Sequence, residues 1–190
     1  MKKYLLIILA FLLSGPVFSQ VSDLRFYRED IQFKIRGNKV SVNGIYFFEN
    51  ISNARIIKVL SYPFQKDPDL YGEISSFEVR DLTGNENIYL IDQNEEEAKF
   101  RISLNAQETK HLRITYSQEF FGNEIECQLL TSAQWGKAFE QINFWLETPA
   151  SMKVTYFSYE PDSMAVRNNN RIYYWHKKEF IPDKNLIFRF

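Results

Sequence analysis

Cysteine occurs once in these 190 residues, at Cys127, so no internal disulfide can form and no lipid-bearing cysteine can sit near the N-terminus. A chain of this kind is held by core packing alone. Histidine occurs twice, at His111 and His176, and neither belongs to an H-E-x-x-H metal motif. A G-x-S-x-G nucleophile elbow and a Walker-type glycine loop are also absent. Glycine is scarce, with 7 residues against 17 Phe and 11 Tyr. That balance excludes a disordered chain and favours strands with well-filled faces. No apolar run after residue 19 reaches the roughly 20 residues a spanning helix needs.

The first 19 residues read as a secretory signal peptide. Lys2 and Lys3 form a basic start, Tyr4 to Leu13 an unbroken apolar stretch, and Val17-Phe18-Ser19 a small-residue cut before Gln20. The apolar stretch is too short for an anchoring helix. Residues 20–190 are expected to form a single domain in the periplasm or outside the cell. Taking Lys2 and Lys3 from the 23 basic residues leaves 21 against 24 acidic, a net charge of −3. Nucleic acid would want a basic face, so it is excluded as a partner.

Alternation with a period of two places strands along most of the chain. Ile31, Phe33 and Ile35 share a face, and Gly37-Asn38 turns the chain into Lys39 to Phe48, where Gly44 suggests a bulge or bend. Ile56 to Leu60 follows, then a probable hairpin of Ile74 to Arg80 with Asn87 to Ile91 around Thr83-Gly84-Asn85. Phe100, Ile102 and Leu104 alternate, as do Leu112, Ile114 and Tyr116, and then Ile125, Cys127 and Leu129. Arg171 to Lys177 follows the turn at Asn168 to Asn170, and Leu186, Phe188 and Phe190 close the chain. The hub is Leu130 to Pro149: Trp135-Gly136 plugs a core end, and Ile142, Phe144 and Leu146 face inward along a strand that Pro149 stops. A short helical turn competes only over Ser132 to Gln141. Many short strands without an internal repeat predict an all-β fold. The expected form is a two-sheet antiparallel sandwich, immunoglobulin-like or jelly-roll-like, with a small β-barrel as the alternative.

Tyr46, Phe48 and Asn50, then Tyr62-Pro63-Phe64, then Leu130-Thr131 with Trp135-Gly136 and a strand ending at Pro149 form an ordered series. In this series the chain resembles secreted bacterial β-sandwich domains of unknown function. The resemblance implies a secreted sandwich, and it brings no catalytic residues with it.

Candidate chemistry is sparse. His111 reads as a strand surface residue and Cys127 as a small core hydrophobe. Two acidic loops could offer oxygens to calcium: Asp67-Pro68-Asp69, and Asp92 with Asn94 to Glu97. Neither contains the glycine of the familiar calcium loop, so no metal and no cofactor is expected. Asn50-Ile51-Ser52 matches a glycosylation acceptor. Trp145 lies out of phase with Ile142, Phe144 and Leu146, and Tyr173 and Trp175 are out of phase with Ile172. These three rings are the candidate ligand-binding residues, an outward platform for a glycan or an envelope protein. The expected function is non-enzymatic binding at the envelope. A hydrolase using carboxylates from distant strands is the alternative, since such a pair leaves no local motif.

Overall fold

The computed structural model describes residues 23–65, 67–130 and 137–190. The expected signal peptide and the expected Trp135-Gly136 plug fall outside the described residues. The strands of the first half are β1 (Leu24–Arg36), β2 (Lys39–Asn50), β3 (Ile56–Pro63), β4 (Tyr71–Asp81), β5 (Glu86–Ile88), β6 (Leu90–Gln93) and β7 (Glu97–Leu104). Those of the second half are β8 (Thr109–Phe120), β9 (Glu124–Cys127), β10 (Phe139–Pro149), β11 (Tyr156–Phe157), β12 (Ser163–Arg167), β13 (Asn170–Phe180) and β14 (Leu186–Arg189). The all-β expectation holds.

Eight strands make one large sheet in the order β12-β13-β10-β1-β2-β8-β4-β5. Two three-stranded sheets, β11-β14-β9 and β3-β7-β6, complete the fold among the described residues. None closes on itself among the described residues, so the barrel alternative is set aside. The large sheet is mixed, because β1 and β10 run parallel from Arg28↔Gln141 to Lys34↔Glu147. A purely antiparallel sheet was the expectation. Strands joined by a hairpin must run antiparallel, whereas 113 residues separate Asp30 from its neighbour Asn143, and so long a connection permits either sense.

Local turn chemistry explains the hairpins. Gly37, with φ +59°, takes the left-handed corner between β1 and β2. Asn168 and Asn169, with φ of 49° and 60°, make the two-residue turn that registers Arg167 against Asn170. Asp81 closes the β4–β5 turn by accepting from the amides of Thr83 (2.8 Å) and Gly84 (3.0 Å), and it pairs with the Lys110 ammonium. Burial alone would raise its pKa. The lysine and the two amides outweigh that and hold the carboxyl below its ordinary value.

Alternation then fills the core. Ile31, Phe33 and Ile35 of β1, Ile142, Phe144 and Leu146 of β10, and Leu112 and Ile114 of β8 all point between the layers. The small sheets close over them with Phe188 against Phe33 (ring centroids 5.6 Å apart) and with buried Phe100, Ile102 and Leu104. Asn50 is fully buried. Its amide nitrogen donates to the carbonyls of Ala54 (2.7 Å) and Asn105 (2.6 Å), and its oxygen accepts from Ser52 (2.8 Å from the hydroxyl). The Asn-Ile-Ser triplet therefore ties down a loop, and in the folded chain its nitrogen is not available to a glycan. The acidic loops are likewise turned on themselves, with Asp67 capping Asp69 and Asn94 capping Glu96 and Glu97. Among the described residues no group of three or more His, Cys, Asp or Glu is placed to hold a metal ion. Nor is any helix among them long and apolar enough to cross a membrane.

Candidate functional site

The two small sheets do not merge. The edge strand β3 of one and the edge strand β9 of the other both line a cavity of about 500 Å³, whose floor is β1, β2 and β8 of the large sheet. Two glutamines clasp the edges together. Gln65 Nε2 donates to the Glu126 carbonyl (3.0 Å), and Gln128 Nε2 donates to the Phe64 carbonyl (3.1 Å). Most of the lining is apolar or aromatic, as binding pockets usually are.

Inside it stands Glu29. Phe26, Glu29 and Ile31 all face inward although Phe26 and Ile31 are of opposite parity. A bulge between Phe26 and Arg28 reverses the phase of β1. Glu29 is 2% exposed, and its Oε1 has no hydrogen-bond partner among the described residues. Burial, with the neighbouring Asp30 charge adding to it, pushes its pKa from 4.5 to about 8. At neutral pH the group is a carboxylic acid, both donor and acceptor, in an aromatic box.

Tyrosines supply the box. Tyr46, registered beside Glu29, bonds Tyr62 hydroxyl to hydroxyl at 2.9 Å, with the rings edge to face at 5.8 Å. Tyr62 meets Tyr116 edge to face at 5.7 Å. Burial raises the pKa of all three phenols, so they stay protonated. The Cys127 thiol is also pushed up by burial and stays protonated, the opposite of what a nucleophilic cysteine needs.

Gly44 makes room for this arrangement. A Cβ placed there would lie 2.5 Å from the Tyr46 ring, so the ring can lie across β2 only above a glycine. The bend expected at Gly44 is absent: Ile31↔Gly44 and Gly44↔Ile114 keep regular register. Gly44→Ala is expected to cost about 1–3 kcal/mol by overpacking and to turn the Tyr46 ring out of place. Denaturant melts with near-ultraviolet circular dichroism would show both. Unchanged tyrosine signals would refute the packing role.

No protein-family model matches the sequence, and no curated protein matches it. Solved structures do. A “putative nutrient binding protein” of Legionella pneumophila superposes with a TM-score of 0.67 at 12% identity, over 87% of this chain and 66% of its own. The M1 zinc metallopeptidase of Deinococcus radiodurans gives 0.52 at 12% identity, over 88% of this chain and 42% of its own. A two-domain M1 zinc metallopeptidase bound to L-tryptophan gives 0.53 at 13% identity, over 88% and 43%. The likeness is one of fold. This chain spans less than two thirds of each of these proteins.

The three aromatic residues singled out by strand phase do not share a surface. Register pairs Phe144 with Trp175 and Leu146 with Tyr173, which puts Tyr173 and Trp175 on the core face. Trp175 is 1% exposed, donates from Nε1 to the Tyr159 carbonyl (2.7 Å) and packs on Phe157 and Phe188. Tyr173 is buried against Phe157 at 4.9 Å. Trp145 alone lies on the outer face, half-buried beside Tyr174 at 5.4 Å. Tyr174 and His176 both bond the Asn143 side-chain oxygen Oδ1 at 2.8 Å, and the Asn143 Nδ2 donates to Asp30 Oδ1 at 2.6 Å. His176 is thus part of a polar net on the outer sheet face, and His111 packs at a tilt against Phe47, ring centroids 4.6 Å apart. Glu29 went unnoticed in the sequence. Its parity with Ile31, Phe33 and Ile35 was the available signal.

Proposed function

We propose that this chain is an exported, non-catalytic binding protein of the bacterial envelope, and that it holds a small molecule in the cavity between β3 and β9. The observation that carries the reading is Glu29: a buried carboxyl with an unpartnered oxygen lines a mostly apolar cavity. Such a group costs stability and finds its use when a ligand supplies the missing partner. The fold shared with a Legionella protein named for nutrient binding supports the class of function. So does the protonated state of the Cys127 thiol, which disfavours covalent chemistry in the cavity. The signal-peptide pattern of residues 1–19 supports export.

A neutral fluorescent probe, N-phenyl-1-naphthylamine, tests the pocket. It is expected to brighten with the wild-type protein and to stay dim with Leu60→Trp, which places an indole into the cavity from the edge strand. A dim wild type, or equal brightening in a folded Leu60→Trp variant, would overturn the reading.

A further inference from the structure

The cavity also indicates what kind of molecule it takes. Resting on the proposed binding function, we infer that the ligand is an organic ammonium ion carrying a compact apolar body. The unmet atom is Glu29 Oε1, an acceptor once the carboxyl ionises, and no lysine or arginine among the described residues pairs with it. Lys58 lines the same cavity but forms no ion pair with Glu29. A ligand that brings its own positive charge turns an unpartnered buried carboxyl into a compensated pair. On binding, the carboxyl proton leaves to solvent and the ammonium N–H donates to the carboxylate.

The walls favour the same choice. Tyr46 stands beside Glu29 in register, and Tyr62, Tyr116, Phe26, Phe48 and Phe100 extend the aromatic lining. Ring faces attract cations, most strongly where water is excluded, and apolar walls accept the rest of the molecule. An anionic ligand would instead bring a second negative group to Glu29 and leave its oxygen without a donor. A neutral alcohol would satisfy Oε1 but would gain nothing from the rings as a charge does.

Three probes of similar size separate the possibilities by isothermal titration calorimetry at pH 8: 2-phenylethylammonium, 2-phenylethanol and 3-phenylpropionate. The ammonium is expected to bind about 10-fold or more tighter than the alcohol, the difference a charge-assisted bond makes. Glu29→Gln should remove that preference. If the alcohol or the propionate binds as well as the ammonium, the ammonium assignment fails and the pocket reading survives. If the preference persists in Glu29→Gln, Glu29 is not the partner and the assignment again fails. If none of the three binds at millimolar concentration while N-phenyl-1-naphthylamine does, the ammonium assignment alone falls. Silence from all four probes overturns both.

Discussion

Trp175→Ala is expected to lower stability by about 3–5 kcal/mol, whereas Trp145→Ala should cost about 1 kcal/mol. The two indoles stand one register step apart on adjacent strands, yet they face opposite sides of the large sheet. Trp175 fills the space where β13 meets the small sheet of β11, β14 and β9, touching Phe157 and Phe188. Its truncation leaves a cavity ringed by buried neighbours and also removes the donor to the Tyr159 carbonyl, leaving that acceptor unmet. Trp145 meets mainly Tyr174 on a half-exposed face, so its loss removes one aromatic pair and leaves no void. Urea melts of both variants check this, provided the slope with denaturant stays constant. Equal midpoints would mean that the two rings are buried alike, contrary to the register.

The contrast explains why strand phase misplaced Tyr173 and Trp175. In the run from Arg171 to Lys177, Ile172 is the single aliphatic residue, and it invited the choice of its own side as the core. Two large rings on the other side bury far more apolar surface, and they decide the matter. In β7, β8 and β10 the aliphatic residues fall on one side, and these faces are legible from alternation alone. The Asn168-Asn169 corner was legible too, because both residues tolerate the left-handed conformation that a tight hairpin turn requires.

Pairing between distant strands was not legible. Nothing local in Ile31 to Ile35 or in Ile142 to Leu146 says that β1 and β10 are neighbours, or that they run parallel. The cavity depends on that same long-range arrangement, since it exists only because β3 and β9 end in separate sheets. Tyr46, Phe48, Asn50, Tyr62 and Phe64 formed a series in the sequence without an evident purpose. In the fold Tyr46, Phe48 and Tyr62 line the cavity, Phe64 packs behind Tyr62 at 6.0 Å, and Asn50 fixes the loop that leads to β3.

Replacing Glu29 with glutamine is expected to stabilise the ligand-free protein on the order of 5 kcal/mol above pH 8, and to change little near pH 4. The sign follows from proton counts. Below the unfolded value of about 4.5 the carboxyl is protonated in both states, and burial of the neutral acid carries no charge penalty. Between 4.5 and about 8 the unfolded chain releases the proton while the folded chain keeps it, so stability falls as pH rises. Above about 8 the folded protein holds a buried, unpaired carboxylate, and the full difference is reached, at about 1.4 kcal/mol for each pH unit between the two values. Glutamine has nearly the same shape and no charge, so this dependence vanishes in the variant. At pH 7 the gap should be about 3 kcal/mol. Urea melts of wild type and Glu29→Gln from pH 4 to 9 should therefore start together and diverge steadily. Asp81 supplies an internal control in both proteins. Its lowered pKa loses stability only at acid pH, as the carboxylate beside Lys110 takes up a proton, and it affects the two curves equally. Two curves that stay parallel to pH 9 would show that Glu29 is solvated or already paired, and the cavity would then lack the unmet acceptor on which its proposed function rests.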